Sequence, residues 1–198
     1  YSINDVSAIT SHFLKGGKDD YAKDPEVIKL LDKGDTSTDP AVRKTSYKKA
    51  LSRISKINEK ILKKGIFPLT LGGEHSITPG CIVPFTNKYK NLCILHFDAH
   101  ADLRDSYNGE KYSHASAIRR CLDNKNISLI SFGIRNISKS EIPYLKKNSN
   151  RIKIFWAKDK SNWNLNKFKK MIKNRNVYIT FDVDGFDSSI MPATGTPE

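Results

Sequence analysis

Leu92-Cys93-Ile94-Leu95-His96-Phe97-Asp98-Ala99-His100-Ala101-Asp102 decides the fold class of this chain. Its first half is a near-continuous apolar run of strand length, the pattern of a parallel strand buried on both faces. Its end carries carboxylate, imidazole and carboxylate at alternate positions: Asp98, His100 and Asp102. Side chains two apart share a face on extended backbone, so all three can aim at one point. Downstream, the run from Val177 to Phe181 ends in Asp182-Val183-Asp184, with the same two-residue spacing. Four converging carboxylates repel one another, and a divalent ion is their simplest neutraliser. Oxygen and imidazole donors without thiolate favour a hard or borderline ion such as Mn²⁺.

Outward from these segments, strand and helix patterns alternate. Strands are expected at Ile66 to Leu71, Leu92 to Phe97, Ile127 to Ile134, Ile152 to Trp156 and Val177 to Phe181. Between them lie a helix from Ser76 towards Tyr89 interrupted by Pro79 and Pro84, and a short helix from Ser113 to Leu122. Helices also read at Ser138 to Lys147, entered through the capping-box spacing Ser138-x-x-Glu141, and at Leu165 to Ile172. Asp39-Pro40 reads as an N-cap with Pro at the first helical position, and apolar residues recur at helical spacing as far as Lys64, where Gly65 closes the segment. Residues before Asp39 are mixed and polar, punctuated by Gly16-Gly17, Lys18-Asp19-Asp20 and Gly34-Asp35. Alternation of this kind predicts an α/β fold with a parallel sheet covered on both faces. Sites in such sheets lie beyond the carboxyl ends of the strands. Asp98, His100, Asp102, Asp182 and Asp184 fall there, and so does His75 in Gly72-Gly73-Glu74-His75, after the strand expected to end at Leu71.

The length, 198 residues, suits one domain with a real core. No run is long and apolar enough for a transmembrane helix, and no signal peptide opens the chain, so a cytoplasmic protein is expected. Cys81, Cys93 and Cys121 are odd in number and widely spaced, which fits buried free thiols rather than a disulfide framework. The net charge of +13 raises the question of an anionic partner such as nucleic acid. The lysines are scattered in pairs among Asn and Ile, without a recognised nucleic-acid motif, and read as a solvated surface. The chain opens on Tyr1 and stops at Pro197-Glu198 in a turn-rich stretch, which reads as part of a longer protein.

Further positions carry chemistry less specifically. His114, in Tyr112-Ser113-His114-Ala115-Ser116, reads equally as a surface residue at a helix start or as a proton carrier. His96 reads as structural, and Glu74 as a solvent-facing or supporting neighbour of His75.

With these residues in place, the chain resembles the ureohydrolase family, the arginase and agmatinase group. The matching segments are Gly72-Gly73-Glu74-His75-Ser76, Phe97-Asp98-Ala99-His100-Ala101-Asp102, Gly133-Ile134-Arg135, Phe181-Asp182-Val183-Asp184 and Met191-Pro192-Ala193-Thr194-Gly195-Thr196-Pro197-Glu198, with a weaker likeness in Leu31-Asp32-Lys33-Gly34-Asp35. Leu103-Arg104-Asp105-Ser106-Tyr107 and the stretch from Tyr112 to Arg120 stand where arginases carry a loop that grips an α-carboxylate, so the agmatinase branch is the nearer likeness.

The resemblance implies a three-layer α/β/α domain over residues 1–198, with a mostly parallel sheet incomplete on its C-terminal side, and a homo-oligomer. It implies two Mn²⁺ per subunit: His75 and Asp102 on one, His100 and Asp184 on the other, Asp98 and Asp182 bridging. It further implies that a metal-bridging hydroxide attacks the guanidinium carbon of agmatine, giving putrescine and urea, a step of polyamine biosynthesis. Asp102 would orient the nucleophile and pass its proton to the leaving amine, and His114 would exchange protons with solvent. The acidic residue that pairs with the guanidinium is expected beyond Glu198, so weak substrate binding by this chain alone is expected too. Arginase-type or guanidinobutyrase-type hydrolysis and a catalytically inactive regulator are the alternatives. A dinuclear metallophosphoesterase is disfavoured, because its Gly-Asn-His-Glu segment follows the Asp-x-His segment, whereas Gly-Gly-Glu-His here precedes it.

Overall fold

A computed structural model describes residues 24–72, 74–192 and 194–196. Gly16-Gly17, Lys18-Asp19-Asp20, Gly73, Ala193, Pro197 and Glu198 lie outside the described residues. The chain divides into two compact units, residues 1–84 and Phe85–Glu198.

In the first unit, α1 (Pro25–Thr36) and α2 (Pro40–Lys63) both start on Asp-Pro. Asp24 Oδ1 accepts from the amides of Glu26 and Val27, both at 3.1 Å, and Asp39 Oδ1 accepts from Ala41 N at 2.8 Å. Each carboxylate satisfies amides that no helical carbonyl can reach, and the proline fills a position that needs no N–H donor. Arg53 of α2 reaches back to Asp24 Oδ2 at 3.0 Å and ties the two helices together. The sequence reading expects α2 but not α1, although Asp24-Pro25 carries the same signal as Asp39-Pro40.

The strand expected at Ile66 to Leu71 does not form. The segment has no strand assignment, and Ile66, Phe67, Leu69 and Leu71 are 55%, 84%, 75% and 68% exposed. Alternation supplies a strand's local pattern, but a strand exists only where a neighbour completes its ladder, and no described strand pairs with these residues. His75–Ile77 then form a 3₁₀ turn leading into α3 (Thr78–Lys88), which runs without a break and keeps Pro84 inside.

The second unit holds a four-stranded sheet: β1 (Leu92–Phe97), β2 (Ser128–Ile134), β3 (Ile152–Trp156) and β4 (Asn176–Phe181). Its order is β3-β2-β1-β4 and every pair is parallel, as the apolar runs predict. The connecting helices are α4 (Ala117–Cys121), α5 (Ile142–Lys147) and α6 (Leu165–Ile172). From β1 the chain steps outward to β2 and β3, then returns so that β4 lies on the other side of β1. The order therefore reverses between β1 and β4, and such a switch point opens a crevice beyond the strand ends.

Register is marked by a row of rings. Phe155, Phe132, Phe97 and Phe181 pair in register across β3-β2-β1-β4 and stack with centroids 4.5, 5.4 and 5.4 Å apart. Phe168, Met171 and Ile172 of α6 pack on the core cluster of Cys93, Leu95, Ile130 and Phe132 on this face. Alternation turns Ile94 and His96 to the opposite face, where Phe85 meets Tyr178 edge to face at 5.1 Å. Cys81, Cys93 and Cys121 are all buried free thiols, and burial pushes the Cys81 thiol up to about 11. No described helix is long and apolar enough to cross a membrane.

Ile94 is 0% exposed and Ile179, on β4, is 58% exposed. Ile94→Ala should cost about 2–5 kcal/mol in urea denaturation, from lost burial and a residual cavity. Ile179→Ala should stay within about 0.5 kcal/mol of the parent chain. Equal costs at the two positions would contradict this packing.

Candidate metal centre

Phe97 and Phe181 are register partners, so Asp98 and Asp182 are the first residues past adjoining strand ends at the switch point. The ladder extends one step further at both: Asp98 N donates to Phe132 O at 3.2 Å, and Asp182 N to Phe97 O at 2.8 Å. Two glycines let backbone crowd Asp98. A Cβ on Gly185 would lie 3.0 Å from Asp98 N, and one on Gly133, whose φ is +85°, would lie 3.2 Å from Asp98 O. Both positions are closed to larger residues for that reason.

Asp98 is 1% exposed, and its carboxylate is met from several sides. His100 N donates to Oδ1 at 2.6 Å, while His96 Nε2 lies 2.8 Å from Oδ2. An ionised carboxylate only accepts, so His96 Nε2 carries the proton and Nδ1, 3.1 Å from Ser131 Oγ, accepts from that hydroxyl. His96, read from sequence as structural, thus holds a carboxylate of the site directly. Its Nε2 partner sits two residues away on the same face, which is the signal available in the sequence.

Asp184 reaches the same place from β4. Its Oδ1 accepts from Ala99 N at 3.0 Å, and its Oδ2 lies 3.0 Å from His100 Nδ1. Hydrogen bonding to Asp184 and then to Asp98 pushes the His100 imidazole up to about 10, against burial, which acts to lower it. Asp98, His100 and Asp184 offer ligand atoms within 4.8 Å of one another, and so do His96, Asp98 and Asp102. Asp98 is common to both sets. Carboxylate oxygens and imidazole nitrogens without sulfur are a donor set suited to Mn²⁺ and similar ions.

Asp102 sits in left-handed backbone with φ of +51°, a region that Asp tolerates better than most residues. Its carbonyl accepts from Arg119 N at 2.9 Å. Next to it, Leu103 N donates to Glu141 Oε1 at 2.8 Å, and Ser138 N donates to Glu141 Oε2 at 2.6 Å. The Ser138-x-x-Glu141 spacing therefore marks a real backward bond, but α5 begins only at Ile142, later than expected. The buried Glu141 uses its other oxygen to hold the backbone beside Asp102, which the spacing gives no hint of.

The remaining expected residues are placed less tightly. Asp182 Oδ1 accepts from Asp184 N at 3.2 Å and caps the 3₁₀ turn Val183–Gly185. His114 is exposed at the start of the 3₁₀ turn His114–Ser116, its ring 5.6 Å from that of Tyr107, and belongs to neither donor set. Ser113, just before this turn, makes no side-chain cap bond; its hydroxyl donates to Ser116 Oγ at 3.3 Å. His75 is buried at the start of its 3₁₀ turn in the first unit, where the neighbouring Glu74 carboxylate accepts from the Ser76 hydroxyl.

The chain is similar to proteins of known family. The family model described as the arginase family matches residues 4–198. An agmatinase of Bacillus subtilis (strain 168) is 37% identical over 149 residues, which are 75% of this chain and 50% of that protein. The mitochondrial guanidino acid hydrolase of Homo sapiens is 36% identical over 153 residues, 74% of this chain and 44% of that protein. The crystal structure of the agmatine ureohydrolase of Thermoplasma volcanium superposes with a TM-score of 0.63 at 31% identity, covering 75% of this chain and 50% of that one. The chain thus spans about half the length of the curated relatives it matches. By its parallel sheet, its strand-end carboxylates and the match over nearly all its residues, this chain belongs to the arginase family.

Proposed function

We propose that the protein is a Mn²⁺-dependent amidinohydrolase that converts agmatine and water to putrescine and urea. The observation that carries this reading is the pair of donor sets sharing Asp98 at the switch point between β1 and β4. Asp98, His100, Asp102, Asp182 and Asp184 are the ligands assigned in the second unit. Bound divalent ions supply Lewis acidity that makes water nucleophilic near neutral pH.

The chain's own groups do the rest. Asp102 takes the proton from the attacking water and delivers it to the departing amine nitrogen as the bond from the guanidinium carbon to that nitrogen breaks. His114, exposed to solvent, exchanges protons with bulk water. His96 keeps Asp98 in one orientation, as a carboxylate partner that a hydrogen-bonded imidazole can hold.

Agmatine leads because an agmatinase stands at 37% identity, but the guanidino acid hydrolase at 36% makes guanidino acids the second reading. Urea release should be measured after Mn²⁺ loading, with agmatine, arginine and 4-guanidinobutyrate in parallel, from this chain and from a version continued past Glu198. Agmatine-selective turnover that disappears in Asp102→Asn is the expected result. Preference for 4-guanidinobutyrate would move the assignment to the second reading, and absence of turnover in both versions despite bound Mn²⁺ would overturn the agmatine assignment and point to another substrate or a catalytically inactive regulator.

Metal uptake has a pH signature. Coordination requires a neutral imidazole, and His100 holds its proton to about 10 through Asp184 and Asp98. One proton must therefore leave as His100 binds an ion. Between pH 6.5 and 8.5, Mn²⁺ affinity at that position should rise about tenfold per pH unit, following the one-proton exchange. Titration followed by electron paramagnetic resonance reads this directly, and an affinity independent of pH would show that no proton leaves His100 on binding, contradicting either its raised pKa or its role as a ligand. Asp98→Asn should abolish binding of both ions, since both donor sets use it.

A further inference from the structure

An arginine side chain reaches the residues just past β4 from the end of β2. Gly133 takes φ of +85°, and the β2–β3 register shifts between Phe132 and Ile134. That irregularity aims Arg135 across the sheet end. Its backbone N and that of Asn136 both donate to Ala99 O at 2.9 Å, gripping the residue between Asp98 and His100. Its guanidinium donates from Nη2 to Asp184 O at 2.6 Å, to Phe186 O at 3.0 Å and to Thr196 O at 2.7 Å. Nε also donates to Thr196 O at 3.2 Å, and Nη1 donates to Gly133 O at 3.1 Å.

We propose that Arg135 is the positioning residue of the metal site, holding the Asp184 arm from β4 against the Ala99 segment from β1 and drawing the 194–196 loop onto both. The proposal rests on the ligand assignment above. A rigid planar fork with several fixed donors suits this task, because it can bind carbonyls from separate segments at set angles. A lysine ammonium has neither the reach nor the planar geometry to replace it.

The same unit contains a matched control. Arg151 donates to the carbonyls of Leu122, Asn124 and Ile127 and to the Tyr144 hydroxyl, joining loops away from the donor sets. It tests whether any carbonyl-bound arginine produces the same effect.

Amide hydrogen exchange should be followed in the ion-free full chain and in Arg135→Gln, Arg135→Lys and Arg151→Gln. Both Arg135 variants should speed exchange of the Asp184, Gly185 and Phe186 amides roughly tenfold or more, while amides of β1 and β2 keep their protection. Arg151→Gln should leave those three amides unchanged. Mn²⁺ titration then reads the consequence: in the Arg135 variants one class of site should weaken about 10–100-fold while the other is retained. Arg135→Lys carries the test if Arg135→Gln does not fold. Unchanged exchange in both Arg135 variants, equal loosening by Arg151→Gln, or equal loss of both ion classes would overturn the proposal. If the parent chain binds no Mn²⁺, the proposed function fails, whereas the exchange result still decides the clamp.

Discussion

The parallel register between β1 and β4 is the constraint on which the rest depends. With Phe97 opposite Phe181, Asp98 and Asp182 leave the sheet side by side, and the loop after β4 folds back onto the loop after β1. A slip of one residue would turn alternate side chains to the other face. It would take Phe181 out of the stacked row and remove Asp184 from Ala99 N and His100. Packing and site are thus two consequences of one pairing. The phenylalanine row uses the register on one face of the sheet, and the carboxylates use it just beyond the strand ends.

Burial then sets the electrostatic problem. An isolated ionised carboxylate buried as deeply as Asp98 would cost several kcal/mol. The protein offsets this with the His100 amide and the His96 imidazole, and His100 itself stands between Asp98 and Asp184. The raised pKa of His100 expresses the same demand: negative charge gathered here calls for a cation, and a proton on the imidazole is one answer. A divalent ion is a stronger one, and the competition between the two links ion affinity to pH.

Several parts of this arrangement are legible in the sequence. The strands at Leu92, Ile152 and Val177 and the helix at Leu165 follow from apolar runs and helical spacing, with boundaries matching to within about one residue. Asp98, His100 and Asp184 come together as their strand-end positions predict. The failures are instructive. Ile66 to Leu71 has the pattern of a strand without a described partner, and α1 has its Asp24-Pro25 start but only half the length of α2, with Gly34 in its last turn. Glu141 carries a capping signal that is half right, because its second oxygen serves Leu103, 38 residues away. Local spacing cannot register a bond of that range.

The sequence by itself determined the parallel α/β class, the helix start at Asp39-Pro40, and the type and alternation of the donor side chains, because each depends on neighbours within a few residues. Only the tertiary structure decided that His96 orients Asp98, that Glu141 fixes the backbone beside Asp102, and that Arg135 joins the Ala99 and Asp184 segments. Those contacts join residues dozens of positions apart, or depend on which face is buried. They form only after the sheet order has brought the strand ends together, since the folded sheet has already met the entropy cost of closing the intervening chain.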